Sequence, residues 1–246
     1  MRDLPNAVGR ASQCRRGMQL IRRQGCKVRP ASGARVWDLP TRLFHWLLVL
    51  LFAFSWWSAE NREMQWHYLS GLTLLGLLGF RIVWGFIGAS TARLAALFAS
   101  PARILGYVRG RDISRPGHNP IGGYSVIAML LALCVQVGTG LFATDVDGLE
   151  SGPLSFLVTF EQGRGAAQIH EVSFNILLAL IALHILAVAF YLVVRKRNLV
   201  MPMLTGRDPK LGAESGEMKR ASPAAFVIAA ALATLLAWSA SKGFGL

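Results

Sequence analysis

Five long apolar segments decide which folds this chain can adopt. They cover roughly residues 40–59, 66–88, 121–143, 168–194 and 222–241. A helix needs about 20 apolar residues to cross the hydrocarbon core of a bilayer, and it satisfies its own backbone hydrogen bonds there. The chain is 53% hydrophobic and has a mean hydropathy of +0.43, which is typical of membrane proteins. We therefore predict an all-α integral membrane protein with five transmembrane helices.

The connections between these segments alternate in charge. Three connections are basic: residues 1–42 hold ten Lys/Arg and two acids, residues 89–120 hold five Lys/Arg and one acid, and residues 195–221 hold seven Lys/Arg and three acids. The other two connections, 57–66 and 143–169, hold more acids than bases. An excess of Lys and Arg marks the cytoplasmic side of a membrane. The pattern predicts a protein of the bacterial inner membrane with a cytoplasmic N-terminus and a periplasmic C-terminus. It also explains the net charge of +13 without a nucleic-acid partner, since no basic patch with interleaved aromatics is found.

The three cysteines, Cys14, Cys26 and Cys134, form no CxxC or CxxCH motif. This excludes a covalently attached c-type haem by motif and argues against an iron–sulfur or zinc site. The first 36 residues are basic but lack the apolar core of a signal peptide. We interpret them either as a disordered cytoplasmic extension or as the product of a start codon placed too far upstream.

Two histidines, His170 and His184, lie in the fourth apolar segment. They are fourteen residues apart, and a helix turns by about 100° per residue. The two side chains therefore point within about 40° of the same direction and are separated by about 21 Å along the helix axis. They therefore share one helix face at two depths, where His67 matches His170 on the outer side and His45 matches His184 on the inner side. The inner pair is level only if the helices tilt or the fourth helix overruns the bilayer.

Polar groups inside a membrane are costly and need a partner. A lone histidine can cap a helix or bind a carbonyl, but two matched pairs favour axial imidazoles on two flat iron macrocycles, which are two b-type haems. Arg81 lies fourteen residues after His67, at the inner level, where a haem propionate is a natural partner; snorkelling to the interface is the alternative. Arg42 could bind a propionate too, or could be a solvated charge.

Several motifs occur between about Val36 and Gly206. They are VWDLPTRLFHW (36–46), WHYLSG (66–71), RIVWGFIG (81–88), GHNPIGG (117–123), GLFATD (140–145), IHEVSFNILLALIALH (169–184) and NLVMPMLTG (198–206). Together these motifs resemble one known family, the bacterial cytochrome b561 and nickel–iron hydrogenase cytochrome b group. The resemblance implies four transmembrane helices with two b-type haems, bound by His45, His67, His170 and His184.

The chain departs from that family at both ends. We expect a basic extension over 1–36, a four-helix di-haem domain over 37–206, a cytoplasmic linker over 207–221, and the fifth transmembrane helix with a short periplasmic tail over 222–246. The fifth helix has no ionisable residue between Ala224 and Ala240, so we expect a packing or docking role and no redox role.

The resemblance implies electron transfer across the bilayer between a quinone and a partner protein in a respiratory chain. Relatives react with quinone near the inner haem, so His118 could exchange a proton with quinone and Asn119 could bind its carbonyl. The alternative is that Asn119 caps a helix and His118 is a surface residue. The acidic loop 143–169 could dock a periplasmic c-type cytochrome or a hydrogenase-like subunit.

Two other functions stay open. A stand-alone enzyme of this group would oxidise a small outer donor such as superoxide, with quinone as acceptor. A transporter would use the intramembrane histidines to relay protons or bind a metal ion, and it predicts a colourless protein with helices broken at the midplane. A structural anchor for a peripheral complex would leave His184 and Arg81 unexplained.

Overall fold

The structure, a computed structural model, describes residues 33–111, 117–211 and 218–243. Most of the predicted extension over 1–36, including Cys14 and Cys26, lies outside the described residues, as does the end of the predicted tail at 244–246.

The described chain is built on five long helices that are each long and apolar enough to cross a membrane. The prediction of an all-α membrane protein with five spans is therefore confirmed. The spans are α1 (Leu39–Glu60), α2 (Met64–Ile87), α4 (Pro120–Phe142), α5 (Phe160–Val193) and α7 (Pro223–Ser241). The shorter elements are strands β1 (Ala34–Arg35) and β2 (Arg207–Asp208), helices α3 (Pro101–Val108) and α6 (Val200–Thr205), and 3₁₀ turns at Leu94–Leu97 and Ser155–Leu157.

Three of the spans begin with a polar cap followed closely by proline. The carboxylate of Asp38 accepts a hydrogen bond from the amide of Thr41 at 3.0 Å, and Asn119 caps α4 in the same way. The hydroxyl of Ser222 accepts from the amide of Ala225 at 3.2 Å. A cap satisfies backbone donors that the first helical turn leaves unpaired, and proline at the first positions loses nothing there.

Helix α5 begins earlier than the apolar pattern predicts. The pattern places its start near residue 168, whereas the helix begins at Phe160. The signal is a capping box, in which Thr159 and Gln162 exchange side-chain to backbone hydrogen bonds. The first turns are polar, so hydropathy alone does not detect them.

The spans pack as two pairs with an added helix. Helix α4 lies along α5, and α2 lies between α1 and α7. The backbones of α1 and α5 do not pack closely along their length. Instead, the ring of Phe174 in α5 contacts two rings of α1, with 5.9 Å between its centroid and that of Phe52 and 5.8 Å to that of Trp56. The interior between the two pairs is thus bridged by large side chains. A bundle spaced in this way has room for a flat ligand among its helices.

The outer surfaces of the spans are apolar. Only 6% of the most apolar stretch of α5 is buried inside the protein. Leu183, Ile185 and Leu186 of this helix are exposed. An apolar surface of this extent is unsuited to water and matches contact with lipid. Trp57 and Trp66 are exposed near the junction of α1 and α2, as expected of an aromatic belt at the interface.

The two ends of the bundle differ. We call the end that holds β1, β2, α3 and α6 the strand end, and the opposite end, with residues 143–159, the loop end. At the strand end Ala34 pairs with Asp208 in an antiparallel register, and the hydroxyl of Thr91 donates to the carbonyl of Val36 at 2.7 Å. Asp208 is also paired with Arg197 at 3.1 Å. The predicted linker over 207–221 therefore begins inside a small packed unit.

Candidate functional site

The five histidines of the chain lie in two groups. His67 and His170 are near the loop end, in the first turn of α2 and about three turns into α5. His45 of α1 and His184 of α5 lie toward the strand end, where His118 precedes α4. The assignment of these two groups to the outer and the inner side of the membrane stays a prediction.

His67 and His170 face each other. Their ring centroids are 6.1 Å apart and the ring planes are nearly perpendicular, at 86°. The Nδ1 of His67 donates to the carbonyl of Ser55 at 2.9 Å, and the Nδ1 of His170 donates to the carbonyl of Gln136 at 2.8 Å. With Nδ1 protonated, Nε2 keeps the lone pair that a metal ligand needs. Imidazoles that bind metals almost always have such a second partner, which fixes their orientation.

The spacing of this pair fits one metal ion held from both sides. Two imidazoles that each bind a metal at about 2 Å have ring centres about 6 Å apart. No group of three or more His, Cys, Asp or Glu that could hold a metal ion occurs in the part of the chain that the structure describes. Two imidazoles therefore need further ligands from elsewhere, and the four ring nitrogens of a haem are such ligands.

A cavity of about 440 Å³ surrounds these two histidines, within the size range of ligand sites. A side chain at Gly140 would bring its Cβ within 2.8 Å of the His170 ring, so only glycine allows this close approach of α4. The cavity is also lined by four acids. They are Glu60, Asp145, Glu150 and Glu171.

Gln136 is a functional candidate that the sequence reasoning missed. It is buried in α4, and its side-chain amide donates to Nε2 of His170 at 2.9 Å while its side-chain carbonyl accepts from the hydroxyl of Ser173. The amide therefore lies where a metal bound to His170 would lie, and it has to turn aside when one binds. A lone glutamine in the apolar run of α4 was the available signal, because a polar group in a membrane needs a partner.

The strand-end group is less tightly assembled. Within the described chain, no hydrogen bond or ring contact joins His45 to His184. Burial and, to a smaller extent, the positive charges of Arg81, His184 and His45 lower the pKa of His118 to about 4. These three side chains therefore lie close enough to His118 to interact with it, and His118 is neutral at neutral pH. Its ring lies against Trp37, with 4.7 Å between centroids.

Two side chains of this group have buried polar atoms without partners within the described ranges, and Oδ1 of Asp145 is a further such atom in the loop-end cavity. Arg81 is 4% exposed, its guanidinium carbon lies 5.9 Å from the centre of the Phe44 ring, and its Nη1 has no hydrogen-bond partner among the described residues. The Nδ1 of His45 is also buried without one. An unpaired buried charge is costly, and an anion removes the cost. A haem propionate beside Arg81 fits this requirement.

Arg42 is placed differently from Arg81. Its Nη1 donates to the carbonyl of Leu204 in α6, and its Nε is buried without a hydrogen-bond partner among the described residues. Arg42 also lines a second cavity, at the strand end, together with the start of α7. Its role toward a propionate stays a prediction.

Asn119 has two partners. Its side-chain carbonyl accepts from the amide of Gly122 at 2.6 Å, which confirms the predicted helix cap, and its amide donates to the hydroxyl of Tyr191 at 3.0 Å. Tyr191 is hydrogen-bonded in turn to Tyr107. Burial and this bond raise the pKa of Tyr107 to about 12. The sequence reasoning missed both tyrosines, because α3 and α5 are far apart in sequence.

Comparison with known proteins gives one match. A model of the prokaryotic cytochrome b561 family matches residues 36–206, which is more than half of the 246 residues. The matched range includes all five histidines as well as Arg42 and Arg81, and it ends before α7. Neither a search of curated proteins nor a search of solved structures returned a match.

Proposed function

The chain belongs to the prokaryotic cytochrome b561 family, and on that premise we propose that two bis-histidine b-type haems carry electrons between the two sides of the membrane. The family assignment itself establishes a multi-pass membrane protein that transfers electrons through b-type haem. The proposal adds the number of haems, their ligands and the electron donor and acceptor. The observation that carries it is the facing pair of His67 and His170, with each Nδ1 bound to a backbone carbonyl.

Haem held by His67 with His170, or by His45 with His184, would supply a one-electron centre suited to electron transfer rather than oxygen activation. The chain supplies position and charge. The backbone carbonyls of Ser55 and Gln136 orient the loop-end imidazoles, and only the side-chain amide of Gln136 has to move from Nε2 of His170. Arg81 provides a buried positive charge toward the strand-end pair, His45 and His184.

At the loop end we propose a protein partner with a basic face, such as a c-type cytochrome or a hydrogenase-like subunit. Four acids line the cavity around His67 and His170, and opposite charges speed association and orient the partner. The same acids repel an anionic donor such as superoxide. The stand-alone reaction with a small outer donor is therefore the weaker alternative.

At the strand end we propose that quinone reacts beside His118 and Asn119. A neutral imidazole can accept a hydrogen bond from a quinol hydroxyl, and the amide of Asn119 can donate to a quinone carbonyl. The transporter alternative is disfavoured because α2 and α5 are continuous helices. We place the strand end in the cytoplasm because the basic connections lie there.

The test of the proposed cofactors is a reduced-minus-oxidised visible spectrum of the purified protein, with haem measured per chain. We expect a b-type spectrum and two haems. One haem per chain would refute one of the two pairs, and a colourless protein would refute the proposal.

The quinone site is tested by two variants of Asn119. Asn119→Asp keeps the oxygen that caps α4 but removes the amide donor, whereas Asn119→Ala removes both. If the amide binds quinone, both variants slow quinol turnover. Normal turnover in Asn119→Asp together with normal turnover in His118→Ala would refute this site.

A further inference from the structure

The second cavity lies at the strand end, and Arg42 is the one residue in its lining that is also a predicted haem-propionate partner. Its volume is about 420 Å³, and it is formed by the starts of α1 and α7 with the end of α2 between them. The wall from α7 includes Ser222, Pro223 and Phe226. These residues lie beyond the 36–206 range of the family match, so the cavity depends on the added fifth helix.

The cavity is strongly basic. Four arginines line it, Arg35, Arg42, Arg207 and Arg220, against one acid, Asp38. The carboxylate of Asp38 is already used, because one oxygen caps α1 and the other accepts from the indole of Trp84 at 3.0 Å. No ion pair to Arg35, Arg207 or Arg220 is present among the described residues. A cavity with this charge selects an anion.

One helix start adds to the positive potential. The residues that line the cavity include the N-cap and first turn of both α1 and α7. The N-terminal end of a helix carries a partial positive charge of about half an elementary unit. The carboxylate of Asp38 offsets this charge at α1, whereas the cap of α7 is the neutral Ser222. The arginines and the start of α7 therefore favour the same chemistry.

The deeper walls are apolar. Trp84 and Phe226 line the cavity, and their ring centroids lie 6.2 Å apart. Leu39 and Phe226 are 56% and 43% exposed on the flanks of α1 and α7. Because both helices are long and apolar enough to cross a membrane, we expect these exposed flanks to face lipid. The cavity lining combines arginines with apolar side chains, which suits a phospholipid headgroup and the start of its acyl chains.

We propose that this cavity binds the headgroup of one anionic phospholipid, with its phosphate between Arg35 and Arg220 and the start of α7. The lipid thereby joins α7 to the family core. This site needs neither the haems nor the quinone site, so it can be tested apart from the proposed function.

The experiment uses the holoprotein in nanodiscs of phosphatidylcholine with or without phosphatidylglycerol, and native mass spectrometry counts the lipid retained on delipidation. The wild type should retain one phosphatidylglycerol in preference to phosphatidylcholine. Arg35→Gln/Arg220→Gln should bind it roughly tenfold more weakly, since two charged contacts are lost. The matched control, Arg109→Gln/Arg111→Gln, removes the same charge from exposed positions at the same end and should change binding by less than about twofold.

Three outcomes would overturn the proposal. The first is an equal loss of phosphatidylglycerol binding in both double variants, which indicates that the basic surface as a whole attracts the lipid. The second is equal competition by inorganic phosphate, which indicates a free-anion site. The third is a wild type without preference for phosphatidylglycerol. Haem content checks that each variant is folded. If the glutamine variant does not fold, Arg35→Lys/Arg220→Lys takes its place; it keeps the charge and should retain most of the binding.

Discussion

The loop end and the strand end of the bundle hold their histidines in different ways. At the loop end the fold alone brings His67 and His170 face to face, and backbone carbonyls orient both rings. At the strand end no hydrogen bond or ring contact joins His45 to His184 among the described residues, and Nη1 of Arg81 and Nδ1 of His45 are buried without hydrogen-bond partners there. The protein itself orients the loop-end pair, whereas in the proposed function a haem propionate supplies the partner that Arg81 lacks. We therefore expect the strand-end haem to stabilise the fold more.

The largest expected effect comes from removing one axial ligand at each end. His67→Ala should reduce haem from two to one per chain, and so should His184→Ala, because a bis-histidine site keeps its haem poorly with a single ligand. Haem quantitation and the spectrum of the remaining haem distinguish the two variants. His118→Ala is the control, since it leaves all four proposed ligands in place and should keep both haems.

Each variant should spare the haem at the other end. If His67→Ala and His184→Ala lost the same haem, the pairing would be wrong. The stability comparison is made on the same proteins by thermal unfolding. His184→Ala, which loses the strand-end haem, should lower the melting temperature more than His67→Ala, which keeps it. The opposite order would contradict the difference between the two ends.

A smaller effect is expected from Arg81. Arg81→Met removes a buried positive charge beside the strand-end pair, which favours the oxidised haem. The midpoint potential of this haem should therefore fall by about 60 mV, which corresponds to about 1.4 kcal/mol for one electron. A redox titration followed in the visible spectrum measures this. Arg81→Lys keeps the charge and should recover most of the shift. A fall at the loop-end haem instead would contradict the placement of Arg81.

The smallest effect is expected from Gln136. Gln136→Leu removes the side-chain amide but keeps the backbone carbonyl that orients His170, so both haems should stay bound. The hydroxyl of Ser173 loses one partner but still donates to the carbonyl of His170, and we expect a loss of stability of about 1 kcal/mol. The exposed Gln168→Leu is the control for thermal unfolding. Loss of the loop-end haem in Gln136→Leu would show that the amide itself holds the site.

Local features of the fold were predictable from sequence. The spans followed from apolar length, and the caps at Asp38, Asn119 and Ser222 from a polar residue next to proline. The early start of α5 was not predicted, because its first turns are polar and only the capping box at Thr159 marks them. Helical spacing predicts that His170 and His184 share one face of α5, since residues fourteen apart return close to the same direction. The facing of His67 and His170 was expected from their matching level on two different helices.

The membrane class, the family and the five spans follow from the amino-acid sequence, because they depend on composition, on motifs and on apolar length. Which groups meet across helices depends instead on how the helices pack. Gln136 against His170, Asn119 against Tyr191, and the strand-end cavity between α1 and α7 join residues far apart in sequence. Helical period sets the face on which a side chain lies, but the packing of one helix on another sets its partner.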